Sequence, residues 1–146
     1  MNGDSPMTRK ISPRLAEIVE ALPLRPGMRV LEIGCGPGVL ARKVLQRIGD
    51  GHVLAIDRSP RAIAQALASS KAELATGRIE FRQVAIEGFV LEPGERRYNL
   101  AFAIRVGALD GRDPEAGRLA LPRIVQALEP DARLVIRDGN PLRQSK

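Results

Sequence analysis

Three glycines, a glutamate and an aspartate have the types and spacing that suit ligand chemistry. Gly34, Gly36 and Gly38 fall in the run Glu32-Ile33-Gly34-Cys35-Gly36-Pro37-Gly38, after a short apolar stretch and before a helical pattern. Glycine reaches backbone conformations closed to other residues and lets a ligand approach the main chain. A tight strand-to-helix turn uses glycine for the same reason, so the run alone leaves both readings open. Its spacing is G-x-G-x-G. A dinucleotide fingerprint would be G-x-G-x-x-G, and position 39 is valine followed by Leu40. Glu32 stands near the end of the otherwise apolar stretch Arg29–Ile33. A buried carboxylate is costly unless it is paired or hydrogen-bonded. A cationic ligand amine would meet that need, as would backbone amides or an arginine. Asp57 ends a second apolar stretch, His52–Asp57. It follows the glycine loop by about 20 residues, the place of an acid that accepts ribose hydroxyls. It could instead cap the helix beginning near Ser59, although Ser59 is already a good cap. Together these residues describe a ligand with an amine at one end and a ribose at the other.

The elements around them alternate. Ser12 and Pro13 open a helix through Leu22, with Ile18, Val19 and Leu22 as its apolar stripe. After the glycine loop, Leu40, Val44, Leu45 and Ile48 recur with helical spacing. Ser59-Pro60 starts the next helix, with Ile63, Ala66, Leu67 and Leu74 expected inward. Residues 78–84 alternate as a third strand. Tyr98–Ile104 is a fourth, mostly apolar one. A helix over residues 115–128 has Leu121, Ile124, Val125 and Leu128 expected inward, and Pro130-Asp131 turns into a fifth strand over residues 133–137. The long apolar runs suit strands covered on both faces. Strands alternating with helices predict an α/β fold with a parallel sheet and right-handed crossovers. In such sheets ligands bind outside the carboxyl ends of the strands. The glycine loop, Asp57, residues 85–88 and the loop after Ile104 all lie at such ends and should converge on one crevice.

Other residue types exclude several function classes. Cys35 is the only cysteine and His52 the only histidine, so neither a disulfide nor a zinc site with several His or Cys ligands is expected. No apolar run approaches the roughly 20 residues that span a bilayer. Residues 1–10 are polar, lack a secretory signal's apolar centre, and are expected to form a flexible tail before a single domain over 11–146. A cytoplasmic location is expected. The net charge is +6, but the arginines are scattered, with short basic pairs such as Arg42-Lys43. With no Trp and one Tyr, stacking platforms for single strands are scarce, so nucleic acid is not the favoured partner.

The run Val30-Leu31-Glu32-Ile33-Gly34-Cys35-Gly36-Pro37-Gly38 resembles motif I of class I S-adenosylmethionine-dependent methyltransferases. Val53-Leu54-Ala55-Ile56-Asp57 resembles their second motif, and Phe81-Arg82-Gln83-Val84-Ala85-Ile86-Glu87 their third. Tyr98–Ile104 is similar to their fourth strand, and Leu128-Glu129-Pro130-Asp131-Ala132-Arg133-Leu134 to the entry to their fifth. The resemblance implies a Rossmann-like, mostly parallel five-stranded sheet with helices on both faces, lacking the last two strands of the family's usual seven. It implies S-adenosyl-L-methionine as cofactor. Glu32 would then sit near the methionine amine, with Gly34, Cys35, Gly36 and Gly38 along the backbone path of the loop. Asp57 would take the ribose hydroxyls and Arg58 would lie against the adenine. Ala85 and Ile86 would flank the adenine, and Ala103 and Arg105 would face the methionine end and the substrate.

The chain also departs from the family. Ala85 replaces a frequent acid, Asn99 replaces a frequent Asp, and Asp131-Ala132 replaces paired glycines. Asn99 is followed by Leu100, so the Asn-Pro-Pro-Tyr signature for amino acceptors is absent. No catalytic residue is assigned. Arg105, Asp110 and Asp138 are the polar residues near strand ends that could meet a substrate, while His52 starts its strand at the end opposite the crevice. The favoured function is methyl transfer to a small molecule. Two alternatives stay open: an RNA methyltransferase, and a cofactor-binding or non-catalytic partner module. The edge of the fifth strand, partly protected by Arg133 and Arg137, is expected to form a homodimer contact or meet a partner.

Overall fold

Each apolar run becomes a strand buried from both sides. The computed structural model describes residues 12–137. The expected tail at 1–10, Asp138 and the end signal at 139–141 lie outside them. The elements run α1 (Pro13–Ala21), β1 (Arg29–Ile33), α2 (Val39–Leu45), β2 (His52–Asp57), α3 (Pro60–Ser69), α4 (Lys71–Leu74), β3 (Ile79–Gln83), β4 (Tyr98–Ile104), α5 (Pro114–Ala127) and β5 (Leu128–Arg137). A short 3-10 turn, Ile86–Gly88, lies between β3 and β4. The strand order is β3-β2-β1-β4-β5 and every ladder is parallel.

The two-residue period of a strand divides the core. Val30, Val53, Ala55, Leu100 and Phe102 face a cluster that includes Ile18, Leu40, Val44 and Ile63 from α1, α2 and α3. Leu31, Ile33, Leu54, Ile56 and Ala101 face the other side, with Ile86, Phe89 and the α5 residues Ile124 and Ala127. The chain builds outward from β1 to β3 on one side, then returns to β4 beside β1. This reversal makes a topological switch point at the carboxyl ends of β1 and β4. The helix starts follow side-chain capping: Ser12 Oγ accepts from the Leu15 amide at 3.2 Å, and Ser59 Oγ from the Ala62 amide at 3.1 Å.

Several local expectations change. Leu121 and Val125 of α5 are 46% and 68% exposed, whereas Ala120, Ile124 and Ala127 are buried. Close approach sets this phase: a Cβ on Gly117 would lie 2.4 Å from the Ala108 carbonyl oxygen, so the face carrying Gly117, Ala120, Ile124 and Ala127 packs inward while Leu121 and Val125 turn out. Leu67 is 42% exposed, because Ser70 ends α3 and Leu74 reaches the core from the separate helix α4. β5 starts at Leu128, five residues early. Tyr98 pairs with Leu128 and Leu100 with Arg133, so Pro130 and Asp131 occupy an irregularity in the ladder, where proline costs no ladder bond. Arg137, expected as an exposed edge charge, is buried. No helix among the described residues is long and apolar enough to cross a membrane.

Truncating Ile124 to alanine should cost about 2–5 kcal/mol. Val125→Lys, one residue on, should change stability by no more than about 0.5 kcal/mol. Urea unfolding of both variants checks the phase of α5; equal losses would contradict it.

Candidate functional site

The glycine loop hangs from the end of β2. The Gly34 and Cys35 amides both donate to the Ile56 carbonyl, at 2.8 and 2.9 Å. Gly34 has φ 73°, and a Cβ there would lie 2.6 Å from Val106 Cγ2, so the loop passes directly over the segment following β4. Gly38 has φ 88° and sits just before α2, with Phe81 Cε1 3.0 Å from where its Cβ would be. Neither position accepts a side chain without a shift in its surroundings. Beneath the loop, the Arg42 guanidinium donates to the Pro37 carbonyl at 2.8 Å and to Ser70 Oγ at 2.9 Å. Arg42 is buried, whereas its sequence neighbour Lys43 is half-buried. The available signal was its setting: Leu40, Ala41, Val44 and Leu45 on the same short helix are all buried.

Asp57 both closes the loop and opens the next helix. Its Oδ2 accepts from the Gly36 amide at 2.8 Å and its Oδ1 from the Ser59 amide at 2.9 Å. A carboxylate has about four acceptor sites, so two bonds leave capacity for ligand hydroxyls. Glu32 is 3% exposed and its Oε1 has no hydrogen-bond partner. Burial, reinforced by the negative charge of Asp57 and opposed by Arg42, pushes its carboxyl up to about 8. Cys35 is buried, and its thiol is held well above the usual range by burial and then by the charge of Glu32. It has no thiolate to offer as a nucleophile at neutral pH.

Two cavities meet at Gly34. One, of about 280 Å³, is lined by Gly34, Asp57, Arg58, Ala85, Ile86 and Arg105, with Glu87, Val106 and Asp113 among its other walls. The other, of about 250 Å³, is lined by Glu32, Gly34, Cys35, Gly36, Leu40 and Ile104 among others. Together they form a crevice at the carboxyl ends of the strands, with Glu32 in one arm and Asp57 in the other. Ala103 is fully buried in the core below it, and Gly38 stands back as the residue before α2. Arg105 is exposed at the rim. Asp110 accepts from Arg112 Nε at 2.9 Å, and this bond holds its carboxyl below the usual range. It thus braces Arg112 in a charge pair. His52 lies at the amino end of β2, away from the crevice, and burial followed by the charge of Arg29 lowers its pKa. Among the described residues no group of three His, Cys, Asp or Glu side chains could hold a metal ion.

The methyltransferase domain family matches residues 30–131. Among solved structures, a SAM-dependent methyltransferase from Geobacter sulfurreducens in complex with S-adenosyl-L-homocysteine is 25% identical, with a TM-score of 0.66; the match covers 86% of this chain and 48% of that one. A SAM-dependent methyltransferase from Thiobacillus denitrificans, also in complex with S-adenosyl-L-homocysteine, is 24% identical with a TM-score of 0.65, over 90% of this chain and 49% of that one. The [4+2]-cyclase SpnF is 24% identical with a TM-score of 0.67, over 84% of this chain and 43% of that one. The chain therefore spans about half the length of these structures. No curated protein sequence matches it.

Glu32 makes stability depend on pH. Its folded-state pKa is raised from 4.5 to about 8, so its contribution is fully present below the unfolded value and is lost as pH rises through 8. Glutamine copies the protonated shape without the titration. Glu32→Gln should be more stable than the parent at pH 9 by a few kcal/mol, because each tenfold difference in proton affinity between the folded and unfolded chain is worth about 1.4 kcal/mol. The gap should close toward pH 5. Chemical denaturation across that range checks it, and a constant gap would show that Glu32 does not titrate this way.

Proposed function

Because the chain belongs to the methyltransferase domain family, we propose that it binds S-adenosyl-L-methionine in this crevice and transfers a methyl group to a small-molecule acceptor. The observation that carries the reading is the unpartnered, buried Glu32 oxygen, one loop away from the acceptor-rich Asp57. A ligand with an ammonium group and a ribose satisfies both. Glu32 would hold the amine and become ionised in doing so, since an adjacent positive charge favours the carboxylate. Asp57 would take the ribose hydroxyls on its remaining acceptor sites. Arg58, Ala85 and Ile86 would flank the adenine, with the planar guanidinium of Arg58 able to stack.

The cofactor supplies a methyl group already activated on a sulfonium. What this chain adds is orientation and electrostatics. The loop fixes the backbone under the ligand through Ile56 and Asp57, and Val106 fills the space beneath Gly34. Cys35 stays protonated and His52 stands at the far end of its strand, so neither takes a proton in the crevice. A second reading, cofactor binding without methyl transfer, is favoured by the likeness to a cyclase, since one fold hosts more than one chemistry.

Calorimetric titration with S-adenosyl-L-methionine and S-adenosyl-L-homocysteine should show that both bind. Asp57→Ala should weaken both by 10-fold or more, through the lost ribose contact and the freed loop. No binding of either ligand would sink the proposal. Binding without turnover over a broad acceptor panel would favour the second reading. Repeating the titration below pH 8 in two buffers of different ionisation enthalpy should reveal proton release, as Glu32 ionises against the amine.

A further inference from the structure

A third cavity, of about 280 Å³, is lined by Ser12, Arg14, Leu15, Ile18, Ile104 and Arg105. It shares Leu15 and Ile104 with the Glu32 cavity, and Arg105 with the Asp57 cavity. It therefore borders both arms of the crevice. Its walls are of two kinds: Leu15, Ile18 and Ile104 are apolar, and Arg14 and Arg105 are cationic. Among the described residues no carboxylate lines it, whereas Glu32, Asp57, Glu87 and Asp113 line the neighbouring cavities. The charged walls are thus Glu32 alone in one cavity, acids together with Arg58 and Arg105 in the second, and arginines in the third.

Arg105 is also the one non-glycine among the described residues with a positive φ, at 60°. That conformation is disfavoured for a side chain of this size. It is held from both sides. The Arg105 amide donates to the Arg137 carbonyl at 2.7 Å, and its own carbonyl accepts from Arg112 Nη2 at 2.7 Å. Arg112 is in turn braced by Asp110. A strained backbone that its surroundings over-determine, at the mouth of a cavity, is a mark of a functional position. The strain fixes where the Arg105 backbone turns and so where its exposed side chain leaves the sheet.

The geometry points to an anion-binding subsite in this third cavity, in which Arg105 and Arg14 hold the carboxylate or phosphate of a small amphipathic acceptor whose apolar body lies on Leu15, Ile18 and Ile104. The guanidinium fork suits either oxyanion, since both offer paired oxygens to parallel N–H donors. Assigning the anion to the methyl acceptor rests on the proposed function; the anion site itself stands on the cavity alone.

The test is an NMR titration of the protein with benzoate, phenyl phosphate and benzyl alcohol, with and without S-adenosyl-L-homocysteine. The two anions should bind at least 10-fold more tightly than the neutral alcohol, and perturb signals from α1 and the end of β4. Either order of the two anions supports the site and names its preferred group. Arg105→Gly should weaken both anions by 10-fold or more while the Tm stays equal or rises, because glycine adopts φ 60° without strain. Arg14→Gln should weaken them too. Equal binding of the alcohol, or unchanged anion affinity in Arg105→Gly, would overturn the proposal. So would tight binding of a short single-stranded RNA with no binding of either small anion. If S-adenosyl-L-homocysteine fails to bind but the anions still bind through Arg105, the cofactor reading falls and the anion site stands.

Discussion

The Asp57 carboxylate holds two backbone amides that belong to different elements. Gly36 comes from the loop after β1, at 2.8 Å, and Ser59 from the turn into α3, at 2.9 Å. With the Ile56 carbonyl taking the Gly34 and Cys35 amides, the end of β2 becomes the fixed point of the crevice. Lifting the loop away would break the three backbone hydrogen bonds made by the Gly34, Cys35 and Gly36 amides, each worth about 0.5–1.5 kcal/mol. It cannot relax downward, since Val106 closes the space under Gly34. The two cavities that meet at Gly34 exist because the loop is pinned along this line.

Pinning the loop has an electrostatic consequence. It sets Asp57 close to Glu32, and the negative charge of one raises the cost of ionising the other. Arg42, held on the Pro37 carbonyl and Ser70, offsets this only in part. The free protein thus carries a buried acid that its own fold leaves unsatisfied. Such a group weakens the fold and strengthens the binding of whatever cation completes it. The same arrangement accounts for the inert thiol of Cys35, which shares the burial and the adjacent negative charge.

Much of this was legible in the sequence because it depends on local rules. The bounds of β1, β2 and β4 follow apolar runs that need no partner to be recognised. The starts of α1 and α3 follow from Ser-Pro pairs whose capping chemistry acts within three residues. The glycine loop and Asp57 could be placed together because a parallel sheet brings strand ends to one side. What was hidden depends on contacts between distant segments. The phase of α5 is set by the approach of Gly117 to Ala108, not by where its largest apolar residues fall. The burial of Arg42 depends on Ser70, 28 residues away. The backbone of Arg105 turns on a bond to Arg137 at the end of β5. Periodicity cannot register any of these.

The division of charge around the crevice ties these points together. Glu32 and Asp57 stand at the ends of β1 and β2, whereas Arg14 and Arg105 stand on α1 and just past β4. Glu32 belongs to the central strand β1, and Asp57 ends its neighbour β2. Arg105 instead sits just past the end of β4, at the one place where a non-glycine backbone among the described residues is forced into a left-handed turn. The sheet order makes this possible: β1 and β4 are neighbours, so residue 33 pairs with residue 103 and their following loops leave side by side at the switch point. The glycine loop leaves from β1 and the Arg105 segment from β4, so the two walls of the crevice come from neighbouring strands. A topological reversal in the sheet thereby brings two loops to the edge of one crevice, with Glu32 behind one of them and Arg105 on the other.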